Sequence, residues 1–335
     1  MRTAVVGVGA FGKHHARIYS QLPEAQLVGV VDANPATREE AVKAYGCPAF
    51  ADPSELPADV EAVSVAVPTQ FHHKVALPFL RRGISVLIEK PMVRRLDEGR
   101  ELIAAAEKSG AVLQVGHVER FNPAVRALRD HKIVPRYIEA ARVAPFPFRA
   151  TDVGVVLDLM IHDIDIVLHF AGSPVKHVEA IGVPVLMATE DIANARITFE
   201  NGCVASLTAS RVATKSERKV RVFSKDSYLV LDFGKREGYF YRKSPELTPE
   251  TTQKLIGDAA AAGKASLAEF QGKVFTDLLT MERLTIPEGD ALTEEIKDFL
   301  RCVRERDTPA VSGREGLAAV SVALDVLAAI ERGSG

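Results

Sequence analysis

Residues 7–12 read Gly7-Val8-Gly9-Ala10-Phe11-Gly12, a G-x-G-x-x-G run set between an apolar stretch at 3–8 and a helix-patterned stretch at 11–21. The first glycine permits a tight turn and the second lets a pyrophosphate approach the backbone. The third lets helix and strand pack closely, while the helix N-terminus supplies free N–H groups and a positive dipole. Alone, such a run is not specific. Here Asp32 follows Gly12 by roughly 20 residues, at the tip of the second apolar run, which is where an acid meets the ribose in dinucleotide sites. A carboxylate there accepts hydrogen bonds from the ribose hydroxyls and repels a 2′-phosphate, so NAD is expected rather than NADP. Arg38 is near enough in sequence to reach such a phosphate. The bland alternative is a glycine turn followed by a surface aspartate.

Apolar runs at 3–8, 27–31, 62–67, 86–88 and 112–115 alternate with helix-patterned stretches at 11–21, 35–45, 71–82 and 95–108. Strands alternating with helices require crossover connections, which predicts a doubly wound α/β domain, its parallel sheet covered on both faces, over residues 1–120. The rhythm changes beyond that point. After a helical pattern at 155–170, strand-like runs at 178–186, 193–199, 204–210, 219–224 and 228–233 follow without helices between them, joined by turns such as Glu200-Asn201-Gly202. They predict a second, α+β domain over 121–335, with a large, mostly antiparallel open sheet able to carry a substrate or an oligomer interface. Residues 244–264 read as a loop leading into a helix, and helices are expected at 292–306 and 316–332. A length of 335 residues suits two domains of roughly 100–200 residues each.

Lys and Arg number 42 against 44 Asp and Glu, a net charge of −2 that offers no electrostatic footprint for nucleic acid or a membrane surface. Cys47, Cys203 and Cys302 are far apart and lack ligand spacing, so they are expected to be reduced thiols, with no metal site. No stretch approaches ~20 uninterrupted apolar residues. The chain opens on Arg2-Thr3-Ala4-Val5-Val6-Gly7 without a signal-like segment, and a cytoplasmic protein is expected.

Four segments carry the candidate chemistry. Pro68, Thr69 and His72 leave the 62–67 run where a cofactor would lie, although Thr69 also reads as an ordinary helix cap. Glu89-Lys90-Pro91 puts two charges directly after an apolar strand. That is costly unless they are paired or used. A lysine near a cationic nicotinamide would have a lowered pKa and accept or assist a substrate proton; a surface ion pair is the alternative. In Asp158-Leu159-Met160-Ile161-His162, a helix would set the carboxylate and imidazole one turn apart on one face. An imidazole is suited to take a hydroxyl proton. Asp163 and Asp165 complicate the choice of carboxylate. Finally His117, Glu119, Arg120 and Asn122 fall where two domains would meet and read as substrate contacts, with Arg120 equally a domain-joining salt bridge.

The glycine run, Val67-Pro68-Thr69-Gln70-Phe71-His72, the E-K-P of Glu89–Pro91, the D-x-x-x-H of Asp158 and His162, and Gly313-Arg314-Glu315-Gly316 near the end together resemble the Gfo/Idh/MocA oxidoreductase family over essentially the whole chain. The resemblance implies an N-terminal Rossmann domain, a C-terminal α+β domain, bound NAD, and homodimers or homotetramers built through the second sheet. It also implies that Lys90 orients the reacting hydroxyl and assists proton removal, that His162 is the general base, and that Asp158 supports it or binds substrate; family members differ over whether the lysine or the histidine takes the proton. Many members have several glycines before that Asp, whereas here only Gly154 stands in Asp152-Val153-Gly154-Val155-Val156. Residues 116–123 and Met281-Glu282-Arg283-Leu284 are most similar to nucleotide-sugar dehydrogenases of the UDP-N-acetylglucosamine 3-dehydrogenase group, whose keto product a partner aminotransferase converts to an amine. Inositol, a free hexose or a UDP-sugar uronate are the alternative substrates, and a non-catalytic NAD sensor the alternative function.

Overall fold

The structure, a computed structural model, describes residues 1–128, 131, 133–146, 153–262 and 279–333. Asp152 and the last two residues of the 244–264 segment lie outside these.

Six short strands, β1 (Arg2–Val6), β2 (Gln26–Val31), β3 (Ala49–Phe50), β4 (Ala62–Val65), β5 (Ser85–Glu89) and β6 (Leu113–Gly116), form one sheet in the order β3-β2-β1-β4-β5-β6. Every pairing is parallel. The strands are nearly all apolar because helices cover both faces: α1 (Gly12–Gln21), α2 (Pro35–Tyr45), α3 (His72–Arg81) and α4 (Leu96–Ser109). Local chemistry sets the ends of α2, where the Asn34 side chain accepts from the Ala36 N–H and Gly46 closes the helix at φ 64°. The strand order reverses between β1 and β4, and a doubly wound sheet opens its ligand crevice there.

The second sheet has eight strands: β7 (Tyr137–Val143), β8 (Val175–Val183), β9 (Ile192–Phe199), β10 (Val204–Ser210), β11 (Glu217–Phe223), β12 (Ser227–Asp232), β13 (Glu237–Lys243) and β14 (Leu279–Arg283). Their order is β14-β13-β12-β11-β7-β10-β9-β8. Only β7 and β10 pair in parallel. One face buries Ile138, Ala140, Ile197, Leu207 and Val220. Against that side pack α6 (Ile161–Ala171) and the final helix, α9 (Gly313–Gly333), whereas the opposite face carries polar residues such as Asn194 and Arg196. Two more helices, α5 (Pro123–Arg126) and α7 (Pro249–Ala262), complete this half.

Three strands here escape the apolar pattern. In β7 the inward series Ile138, Ala140, Arg142 ends on a buried cation, which breaks the alternation that marks a strand. β13 carries its apolar residues as a consecutive run, Tyr239-Phe240-Tyr241, and β14 has only Leu279 and Met281 in a short, mostly exposed strand. At the other edge, β8 stops at Val183 rather than continuing to 186, because the N–H groups of Val185, Leu186 and Met187 turn onto Asp191 Oδ2.

The helix α8 (Ala291–Glu305) crosses back to the first sheet, where Ile296, Phe299 and Leu300 pack with Val5, Val30 and Leu87. The start of α9 also reaches that sheet. A Cβ on Gly316 would lie 2.4 Å from Val115, so only glycine permits this approach. α8 buries one charged group in the process. Glu295 is fully buried with neither carboxyl oxygen hydrogen-bonded among the described residues. Burial, then the neighbouring carboxylates Glu89 and Asp165, push this acid well above its ordinary range. The folded protein therefore holds a proton that the unfolded chain releases above pH ~4.3, and stability falls as pH rises through the window between the two values. Glu295→Gln supplies a neutral isostere. Its advantage in melting temperature over the wild type is expected to grow between pH 5 and pH 8, by roughly 2–4 °C. A calorimetric gap that stays constant with pH would mean that Glu295 is ionised in the folded state.

Candidate active site at the cofactor cleft

A cleft of about 1440 Å³ lies at the C-terminal ends of β1, β2, β4 and β5. Its far wall is Val153, Gly154, Leu157 and Asp158 with Thr189 and Glu190, and α9 adds Val320, Leu324 and Leu327. The glycine loop forms its floor. Gly7 has φ +85°, and a Cβ there would lie 2.8 Å from the Ala66 carbonyl. A Cβ on Gly12 would fall 1.7 Å from the Gly7 oxygen. Gly9 differs, since nothing lies within 4 Å of where its Cβ would be. Two glycines are thus demanded by the protein's own packing, while the third leaves room for a ligand against the backbone. Ala10 and Phe11 line the same space.

At the tip of β2, Asp32 Oδ2 accepts from the Val8 N–H at 3.0 Å and Oδ1 from the Asn34 N–H at 2.9 Å. These bonds aim the carboxylate along the cleft it lines. The Arg38 guanidinium donates to the carbonyls of Asp32 (2.6 Å) and Ala33 (3.0 Å), so this cation is tied to backbone beside the acid. The glycine floor and the oriented Asp32 fit NAD.

Pro68 and Thr69 line the cleft. The short 3₁₀ turn Thr69–Phe71 has no side-chain cap, which removes the capping explanation for Thr69. His72 is placed elsewhere: it is buried, its Nε2 2.8 Å from the Val67 carbonyl and its Nδ1 3.0 Å from that of Pro91. The ring braces the two loops that bear the cleft residues and does not itself line it.

Glu89 and Lys90 end β5 at the cleft, their side chains 17% and 13% exposed. Lys90 Nζ donates to the Asp158 carbonyl at 2.7 Å and lies 3.7 Å from Asp158 Oδ1. Burial pulls the Lys90 amine below its ordinary value and Arg142 adds to this, against the opposing pull of Asp158 and Glu89. Burial also works to raise Glu89, but His15 and Lys90 outweigh it and hold the carboxyl below its usual range. Asp158 sits in a π-helical stretch, Val156–Met160, and not in the α-helix that the 155–170 pattern predicts; α6 begins only at Ile161. The one-turn α geometry expected for Asp158 and His162 is corrected accordingly. His162 Nδ1 is buried without a partner among the described residues. Burial, then the Lys90 and Arg142 cations, hold its ring well below the usual histidine value, so the imidazole is neutral near pH 7.

The three carboxylates differ in their pairing. Asp163 binds Arg142 through two hydrogen bonds of 3.0 Å. Asp165 binds Arg120 at 2.8 and 3.1 Å. Asp158 alone of the three lines the cleft.

The segment after β6, expected to hold substrate, lies outside the lining of the cleft and is tied up in contacts of its own. Arg120 bonds Asp165 and His169 and lies 3.8 Å from Glu315 on α9, which makes it the joining salt bridge. Glu119 accepts from Arg142 at 2.8 Å and from Asn122 at 3.0 Å, and Asn122 Oδ1 caps α5 at the Ala124 N–H. His117 is fully buried with both ring nitrogens unpartnered among the described residues. None of these four, nor His162, is in the cleft lining. The physical reason is the cost of buried charge: Glu119 and Arg120 are each held by an ion of opposite sign. Arg142, Glu190 and His15 are central to this geometry and absent from the sequence expectations. A serine and a glutamine inside apolar runs (Ser64 and Gln114) were the available signal that the sheet face beside His15 is polar.

Residues 1–117 match the model of an oxidoreductase family with an NAD-binding Rossmann fold, and residues 135–230 match a GFO/IDH/MocA C-terminal domain. The chain is 35% identical to the UDP-N-acetylglucosamine 3-dehydrogenase of Acidithiobacillus ferrooxidans, over 99% of this chain and 97% of that protein. A solved structure of that enzyme superposes with a TM-score of 0.87 at 34% identity, covering 99% and 98% of the two chains. Inositol 2-dehydrogenase of Rhizobium meliloti is 26% identical over 96% of this chain and 94% of its own.

Proposed function

Because the chain belongs to the Gfo/Idh/MocA oxidoreductase family, we propose that it is the NAD-dependent dehydrogenase of a nucleotide sugar, oxidising the 3-hydroxyl of UDP-N-acetylglucosamine to a ketone. The observation that carries the chemistry is the placement of Lys90 Nζ, 2.7 Å from the Asp158 carbonyl, in the wall of a cleft whose glycine floor fits NAD. The full-length likeness to a UDP-N-acetylglucosamine 3-dehydrogenase supports the substrate.

NAD, when bound, supplies the hydride acceptor. Gly7, Gly9, Ala10, Phe11 and Gly12 would hold its pyrophosphate against the helix N-terminus, and Asp32 would receive its ribose hydroxyls. Pro68 and Thr69 would flank it. Lys90 orients the substrate hydroxyl and, with its proton affinity lowered by burial, takes or relays the hydroxyl proton. His162, a half-buried neutral imidazole within the field of the Lys90 charge, is the second acceptor. Asp158 steadies the lysine amine. The open face of the second sheet serves for a homodimer or homotetramer, and the keto product suits a partner aminotransferase in the cytoplasm.

The test is mass spectrometry of UDP-N-acetylglucosamine incubated with the protein and NAD, with a hydrazine present to trap ketone. A trapped product lacking two hydrogens of the sugar ring is expected. Trapped product only from inositol, a free hexose or a UDP-sugar uronate would move the substrate within the family. No turnover of any of these, with NAD still bound, would favour a sensor.

A further inference from the structure

The face of the first sheet beneath α1 and α8 is apolar at Val5, Ala62 and Leu87. Strand alternation puts Ser64 on the side of Ala62 and Glu89 on the side of Leu87. A polar seam thus runs through an apolar layer. His15 Nε2 lies 2.9 Å from Glu89 Oε1, His15 Nδ1 lies 3.1 Å from Ser64 Oγ, and Ser64 Oγ lies 2.9 Å from the Tyr19 hydroxyl. His15, Ser64 and Tyr19 are each buried to within 1%. Only Glu89 reaches the cleft.

The donor inventory fixes the direction of this chain. An ionised Glu89 only accepts, so His15 must carry a proton on Nε2, which leaves Nδ1 to accept from Ser64. Ser64 gives its single O–H to that nitrogen, and Tyr19 gives its own to Ser64. All three bonds point toward Glu89 and every buried group is satisfied. In the reverse orientation the Tyr19 O–H would end buried and unpaired among the described residues, at a cost. The chain does not conduct a proton, because its far end would have to become a phenolate in a fully buried site.

We infer that His15, Ser64 and Tyr19 are positioning residues, a one-way hydrogen-bond chain that holds Glu89 as an anion beside Lys90 and thereby sets the proton affinity of the Lys90 amine. Its catalytic consequence rests on the role proposed above for Lys90, whereas its effect on Lys90 does not. Lys90 also faces Asp158 on the π-helical turn, Arg142 on β7, His162 on α6 and His117 after β6. Glu89 also faces His72 on α3, His117 and Glu295 on α8. The variants below leave all of these in place.

The experiment is an NMR titration of the protein with its lysines carrying ¹³C at Cε, the Lys90 signal assigned by its loss in Lys90→Met. His15→Phe removes the side-chain donor to Glu89, a half-buried carboxylate that then holds a proton more readily. The Lys90 midpoint is expected to fall by about one pH unit on loss of that neighbouring charge. His15→Gln keeps a donor for Glu89 and an acceptor for Ser64, and should bring the midpoint back to within about 0.3 unit. An unmoved midpoint in folded His15→Phe overturns the inference. Should that variant not fold, Tyr19→Phe removes only the terminal O–H; a smaller fall in the same direction supports the chain, and no fall overturns it. The titration uses neither NAD nor substrate, so absence of UDP-N-acetylglucosamine turnover would count against the proposed function and leave this result untouched.

Discussion

Replacing Lys90 by methionine is expected to lower turnover by about 10²–10⁴-fold, the range for removal of a positioned acid–base group. The substitution keeps the length and much of the apolar contact of the side chain while deleting the amine that sits 2.7 Å from the Asp158 carbonyl. Binding of NAD, measured by fluorescence titration, should change far less, because the pyrophosphate and ribose contacts proposed for it are assigned to the glycine loop and Asp32, away from the Lys90 amine. A loss confined to kcat with KM little altered would mark an interaction made in the transition state. Turnover within about 10-fold of wild type would transfer the proton to His162, whose neutral imidazole stands ready for it.

The second large effect concerns stability. Arg142 lies on the inward face of β7, 4% exposed, and holds Asp163 on α6 and Glu119 after β6. Burial works against its charge, but these two carboxylates more than offset that and hold the guanidinium firmly protonated. Arg142→Met leaves two carboxylates buried without their cation, and breaking a buried pair in this way costs about 3–5 kcal/mol. Urea unfolding followed at matched pH would register it. A loss below about 1 kcal/mol would show that the carboxylates had been protonated or rehydrated at little cost. The same variant removes a positive charge facing Lys90 and His162, so both groups should titrate at higher pH than in the wild type.

Arg142 also explains why the roles in this part of the molecule are not legible in the sequence. Its partners lie 23 and 21 residues away, in segments whose own patterns invite other roles. Glu119 and Asn122 look like substrate contacts when read along the chain, yet one neutralises Arg142 and the other caps α5. Arg120, open between a substrate contact and a salt bridge, is committed by Asp165 and Glu315, which come from helices distant in sequence. His15 falls at an unremarkable position in α1 and gains meaning only from Ser64 and Glu89 on neighbouring strands.

What the sequence determined by itself is local in origin. Apolar runs alternating with helical spacing require a parallel sheet covered on both faces, and the six-stranded first sheet has that form. The glycines at 7, 9 and 12 and the acid at 32 follow from backbone sterics and the geometry of a single strand–turn–helix unit. The largely antiparallel second sheet follows from strands joined by short turns. Tertiary structure alone decided which of Asp158, Asp163 and Asp165 faces the cleft, that Asp158 rides on a π-helical turn, and that α8 returns to the first sheet and buries Glu295 there. The physical reason is the range of the forces. Periodicity and turn chemistry act within a few residues, whereas a buried charge is stable only against a partner that the fold brings to it from elsewhere in the chain.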